Sequence, residues 1–505
     1  MSPPRAIHDQ IAHAAAERAE GAVRIPHDDR DTGTLRLAPG LADASFHQRD
    51  DSAAQTAVRA AAAAFGRAVR HPSPDALAHL DALWAETGAV TIADALIERI
   101  RGEALAPEAA ANVARSLARR SPHPSSVKLA IVLLGYYGTA DDLPLLSLLA
   151  RWPELTLFAT VAAAKLAPDP HRAVYAIARG SGGWGRVQAI RRLWGATDPD
   201  IRDWLLRDGH RTMMADEIAA ECAEIGGLFE ALARPTLDEP MLDSLTELIG
   251  NLVHPDSGIG YFEEPGGAQA VADYLRHLSA SPLTVLRRFL TVDAMRQALH
   301  AEQRNPAPPD GWTDADLRSL AVATADYLAR PHWRSVAEGL SVSEDPSDFW
   351  QACRVGAACG LDVWLRRYER LIDRRGEDWL ELMQTDDPAR VERLLDVARA
   401  RCDLSAIGSG PGLEKSFAPE TAEDDALATL VQELDRFPGT GWDLVRIALS
   451  GRLMRARYMA LRTLERWGAD RWPADAVEAL LEARAREPDA ELAARIDEVL
   501  GRSGR

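Results

Sequence analysis

Arg186, Arg191, Arg192, Arg202, Arg207 and Arg211 crowd one block of the chain together with His210, and Trp184, Trp194 and Trp204 are interleaved with them. Guanidinium groups beside indole rings can hold an anion by charge, or an extruded base by charge plus stacking. Trp184, Arg186, Arg191, Trp204, His210 and Arg211 are therefore the candidate residues for contact with a partner or an anion. Asp198, Asp200, Asp203 and Asp208 occupy the same block and neutralise much of its charge. A helical wheel puts Val187, Ile190 and Trp194 on one stripe, which places Trp194 in the core. A solvated charged surface over core tryptophans is the competing reading.

Other side chains with chemical potential are scattered. Glu217, Glu221 and Glu224 fall at i, i+4 and i+7, an acidic ridge with no facing histidine or carboxylate evident in the sequence. Glu263 and Glu264, with Tyr261 close by, sit in the irregular stretch His254 to Gly267 and could contact a ligand there. Cys222, Cys353, Cys359 and Cys402 form no C-x-x-C, and no histidine completes a zinc pattern, so reduced buried thiols are expected. His8, His13, His27 and His47 are dispersed through a polar leader and read as solvated side chains. GSGPG at 408–412 follows no strand and is not a dinucleotide fingerprint. No Walker lysine, zincin, nucleophile-elbow or haem-attachment pattern occurs. The expectation is no catalytic residue set, no metal and no cofactor.

The elements that must position these residues are helices. No stretch alternates as a half-buried strand would, while Ala53 to Arg70 is alanine-rich and later segments run about three turns between Gly, Pro, Ser or Asp breaks. The class is all-α. Of the 505 residues 47% are apolar, enough for extensive burial, and the length calls for several domains or a repeat array. The net charge of -18 disfavours nucleic acid and anionic membranes as general partners and favours a basic or mixed protein. Lys128, Lys165 and Lys415 are the only lysines; the arginine and alanine bias fits a GC-rich bacterial genome. Without a signal-like leader or a spanning apolar run, a cytoplasmic location is expected.

Four segments share one form: VKLAIVLLGYYG, FATVAAAKLAPD, RVQAIRRLWGAT and RYMALRTLERWG. Each places a small residue (Ala130, Ala162, Ala189, Ala460) four positions before a leucine (Leu134, Leu166, Leu193, Leu464). The alanine admits a close neighbour and the leucine fills the space beside it. Pro168-Asp169-Pro170 and Asp198-Pro199-Asp200 are caps for the helices that follow. Such hairpins cannot cover their own apolar faces, so neighbours must stack.

These residues resemble HEAT repeats over 124–233 and again over 440–502, although the units are shorter than usual for that family. The blocks DWLLRDGHRTMMADEIAAECA and RYMALRTLERWG also resemble a bacterial family of HEAT-like proteins, some members of which are labelled limonene hydroxylase. A hydroxylase would need haem, flavin or non-haem iron, and the sequence supplies no recognisable ligands for one. The resemblance implies an elongated, curved α-solenoid of antiparallel helix pairs with a C-terminal helical cap.

The expected organisation is a mobile or loosely docked arm over 1–52, HEAT-like repeats over 53–304 and a second helical segment over 313–402. A linker or long loop over 403–422 and a capping unit over 423–502 complete it. The prolines of 305–312 mark the strongest linker. Thirteen tryptophans, including Trp333, Trp350, Trp364 and Trp379, read mainly as packing anchors. The functional expectation is a protein-interaction scaffold or adaptor using a concave surface. The alternative is a HEAT-like nucleic-acid enzyme of the alkylpurine DNA glycosylase type, which would use the arginine and tryptophan block.

Overall fold

The computed structural model describes residues 5–18, 21–25, 40, 52–253, 259–413 and 421–503. Among these the regular structure is entirely helical, with no residue in a strand. The chain divides into two units, Met1–Arg330 and Pro331–Arg505.

The first unit begins with α1 (Ile7–Glu17), α2 (Ser52–Arg70), α3 (Pro74–Ala85) and α4 (Ala89–Arg101). Next come α5 (Pro107–Arg120), α6 (Pro124–Tyr137), α7 (Leu143–Leu149) and α8 (Pro153–Leu166). They are followed by α9 (Pro170–Gly180), α10 (Gly183–Ile190), α11 (Pro199–Trp204), α12 (Ala219–Gly226) and α13 (Leu228–Leu232). The unit closes with α14 (Glu239–Leu252), α15 (Gly267–Ala280), α16 (Leu286–Glu302) and α17 (Asp314–Leu328). Small polar caps and prolines start many of these helices. Ser73 accepts from the Ala76 amide at 3.1 Å, and Asp169 from Arg172 at 3.0 Å. Asp198 accepts from Asp200 at 2.9 Å. Each cap satisfies an amide that the helix itself cannot.

Packing follows the order of the chain. α5 lies on α6, α6 on α8 and α8 on α10, while α7 and α9 pack beside α8. This neighbour and next-neighbour pattern is that of stacked hairpins. The repeated alanines do what their size allows: Ala130, Ala162 and Ala189 are buried, and a Cβ at Gly135 would lie 3.0 Å from the Ala162 backbone. Leu134 and Leu193 are buried beside them, whereas Leu166 is half-buried. In the leader, Ile7 and Ile11 bury against the unit, where α1 packs on α5 and α7. The Arg151 guanidinium holds the end of α1 through the carbonyls of Arg18 at 2.8 Å and Gly21 at 3.0 Å.

The second unit contains α18 (His332–Leu340), α19 (Pro346–Ala358), α20 (Trp364–Ile372) and α21 (Trp379–Met383). It continues with α22 (Pro388–Arg401), α23 (Leu404–Ile407), α24 (Ala422–Glu433) and α25 (Trp442–Leu449). α26 (Met454–Trp467), α27 (Ala476–Arg486) and α28 (Ala490–Ser503) end it. α24 packs on α26 and α26 on α28, with α25 and α27 alongside, so the same stacking recurs. Trp364, Trp379 and Trp467 belong to one apolar core here, and Trp333 is buried as well. Trp350 departs from its expected anchoring role, being 43% exposed.

Arginine–carboxylate pairs join successive hairpins in both units. Arg115 meets Asp142, 27 positions on, and Arg172 meets Asp200, 28 on. Arg207 grips Asp238 at 2.7 and 2.9 Å, 31 on. Arg446 and Asp475 are 29 apart, and Arg457 and Glu487 are 30 apart. The separation is close to the interval between the repeated alanines, so these pairs tie one hairpin to the next.

Another expectation changes at Trp194. Trp194 is 49% exposed rather than buried. α10 ends at Ile190, and the chain then tightens, with Arg192 bonding Ala189 and Leu193 bonding Ile190 three residues back. This turns the side chains off the α-helical wheel: Leu193 keeps its place in the core and Trp194 leaves it. The stretch 183–232 is broken into short pieces. α11 continues into a π-helical turn at Leu205–Gly209, a 3-10 turn occupies Ala215–Glu217, and Gly227 at φ 74 separates α12 from α13. His27 and His47, residues 254–258 of the irregular loop and 414–420 of the second linker lie outside the described residues.

Candidate functional site

The π-helical turn brings part of the candidate set together. It carries the chain from Trp204 to His210 and sets the Asp208 and Arg211 carbonyls within reach of Arg186. The Arg186 guanidinium takes the carbonyls of Asp208 at 3.3 Å and Arg211 at 3.1 Å, and its Nε donates to Ser181 at 3.1 Å. It stands 5.8 Å from the centre of the Trp204 ring. Trp204 is buried, donates to Asp208 Oδ2 at 3.3 Å and meets Tyr175 edge-on at 5.2 Å. No carboxylate lies within ion-pair distance of Arg186 among the described residues, and burial holds its pKa below the usual arginine value.

His210 is 1% exposed. Its Nδ1 lies 3.5 Å from the Leu205 carbonyl, and its Nε2 has no hydrogen-bond partner, 4.0 Å from Glu247 Oε2. Burial lowers its pKa, so the neutral ring is favoured. Arg211 donates to the same Glu247 at 2.8 Å. Arg191 turns the other way, to Glu221 at 3.0 Å and to the Glu217 carbonyl at 3.2 Å. Trp184 is half-buried in the first turn of α10, beside Gly40. Arg186, Trp204, His210 and Arg211 thus form one cluster, while Arg191 belongs to the acidic ridge.

That ridge is divided. Glu217 sits in the 3-10 turn, and Glu221 is held by Arg191. Glu224 instead faces a cleft of about 490 Å³, with Phe229, Glu230, Tyr261, Glu263 and Glu264. The sequence offered Glu224 and Glu263 separately, but nothing local indicates that residues so far apart meet; Phe229 and Glu230 carried no signal. Tyr261 packs on Phe229 at 5.4 Å, and its hydroxyl is pushed up to about 12 by burial and by the neighbouring glutamates.

Burial also raises the pKa of all four thiols, which are unpaired with one another, so none is poised as a thiolate. Among the described residues no three His, Cys, Asp or Glu side chains are grouped to hold a metal ion. No helix among them is long and apolar enough to cross a membrane.

No family model matches this chain. No curated protein matches it either. Among solved structures it is similar to a crystal structure of Kap121p, with 13% identity and a TM-score of 0.22. That alignment covers 92% of this chain and 49% of the other, so the chain spans about half the length of that neighbour. A superposition so loose carries no argument about activity or partners.

Proposed function

We propose that this chain is a helical-repeat scaffold that binds another protein. The observation that carries the reading is Trp194, a large indole 49% exposed on the turn after α10, in a block whose arginines are engaged internally. Arg186, Arg191, Arg207 and Arg211 donate to carbonyls and carboxylates of their own chain. An anion entering there would have to displace those contacts. An exposed tryptophan on a rigid turn, in contrast, is the kind of residue that dominates protein interfaces.

The test is capture of partners from native extract with the full chain as bait. A stoichiometric protein partner that survives nuclease treatment and is lost with Trp194→Ala is expected, with the variant melting like the wild type. The glycosylase-type alternative requires saturable duplex binding with a steep salt dependence, abolished by Arg191→Glu. That outcome, with no protein retained, would overturn the scaffold reading.

A further inference from the structure

The cleft beside Tyr261 gathers several carboxylates around an aromatic wall. Along the stacked hairpins many carboxylates face arginines one hairpin away. Here Glu224, Glu263 and Glu264 make no ion pair among the described residues, and all three are exposed. At the cleft edge, beside Gly227, Arg202 meets Glu230 at 3.9 Å and donates its Nε to the Ile225 carbonyl at 3.2 Å, leaving Glu224, Glu263 and Glu264 to an incoming cation. Clustered like charges repel one another, a cost that an arriving cation would relieve.

The wall of the cleft is aromatic and fixed. Phe229 and Tyr261 are half-buried, each showing part of its ring. Phe262 is fully buried behind them and stacks on Phe229 at 5.7 Å. Trp312 locks the turn by donating its Nε1 to the Phe262 carbonyl at 2.9 Å. The backbone is close-fitted too: a Cβ at Gly267 would lie 1.8 Å from the Phe262 oxygen. Little ordering is therefore left for a ligand to impose.

From this cleft and its unpaired carboxylates we infer that it docks an arginine side chain from a basic segment of a partner protein, the guanidinium lying against the aromatic wall of Phe229 and Tyr261 between Glu224 and Glu264. Arginine fits better than lysine because a planar guanidinium stacks on a ring and presents paired donors to carboxylates at once. The volume of about 490 Å³ leaves room for the flanking backbone of an extended peptide. This deepens the scaffold reading by naming a partner chemistry, and it rests on that reading.

The experiment titrates the full chain with a short peptide alternating arginine and glycine, and with its lysine counterpart. Saturable binding of the arginine peptide is expected, weaker for lysine. Glu224→Gln with Glu264→Gln should reduce the arginine affinity by about tenfold or more, since each change removes a facing charge. Glu98→Gln with Glu108→Gln alters the net charge equally at exposed sites outside the cleft and should leave the affinity within about twofold. Tyr261→Leu should narrow the arginine preference, and thermal melts of every variant report whether the fold persists. Equal losses from the two double variants would show diffuse attraction and overturn the assignment, as would absent saturation. Such a failure with the Trp194-dependent partner still captured would sink the cleft alone; loss of that partner would sink the scaffold reading separately.

Discussion

Arg186 to Gly195 and Arg457 to Gly468 are two copies of one pattern, and the structure treats them differently. Arg186 and Arg457 occupy the same register, and each reaches back to a carbonyl five residues earlier. Arg457 then meets Glu487 at 2.8 and 3.0 Å, both side chains 2% exposed, and also takes the carbonyls of Gly451 and Gly412. Arg186 finds carbonyls and a tryptophan ring, with no carboxylate in ion-pair reach among the described residues. The tryptophans diverge as well. α26 runs through Trp467, which is fully buried and donates to the Leu434 carbonyl at 2.7 Å; α10 stops short of Trp194. A two-residue difference in the spacing of tryptophan from leucine separates a core anchor from an exposed one. The same repeat unit therefore makes a closed structural joint in one place and an open surface feature in the other.

The largest break in this comparison comes from Arg457→Met. It strands the buried Glu487 charge and should cost about 3–5 kcal/mol of unfolding free energy, read from denaturant titration. Adding Glu487→Leu should recover most of that loss. Trp467→Ala should cost a similar amount, about 3–5 kcal/mol, through the cavity and the lost bond to the Leu434 carbonyl. Arg186→Met should cost less, about 1–2 kcal/mol, because it gives up carbonyl bonds while relieving a partly buried cation. Trp194→Ala should stay within about 0.5 kcal/mol. If the two tryptophan variants lost equal stability, the distinction between joint and surface would fail.

A smaller effect sharpens the account of the central cluster. The pKa of His210 is lowered in the folded chain, so the unfolded chain binds its proton first as pH falls. Its stabilising share is complete above the ordinary histidine value of about 6.5 and declines as pH drops through the lower folded value. Denaturant titrations from about pH 7.5 to about 5.5 should therefore show falling stability, with a shallower slope in His210→Leu. Equal slopes in the two proteins would remove His210 from the explanation.

Much of the helical plan was legible because its signals are local. Ser73-Pro74, Asp169-Pro170 and Asp198-Pro199 start helices as their chemistry dictates, and the alanine–leucine repeats supply much of the packed face. The exceptions have local causes too. α16 begins at Leu286, past Pro282, whose carbonyl is taken by the buried Arg288. Trp194 misled because a wheel assumes that the helix continues. The arrangement of the site was far less readable. Arg207 and Asp238 meet only because hairpins stack at that interval, and nothing near Glu224 announces Glu263. The π-helical turn itself has no sequence signature in LLRDG.

The claim that the central arginines are internal ties, and not an anion-binding groove, is tested most directly by titrating duplex DNA into the wild type and Arg186→Met at several salt concentrations, with a thermal melt of each. The account predicts no saturable binding by either protein and a lower melting temperature for the variant. Saturable, salt-sensitive binding that vanishes in Arg186→Met while the melting temperature stays unchanged would contradict it.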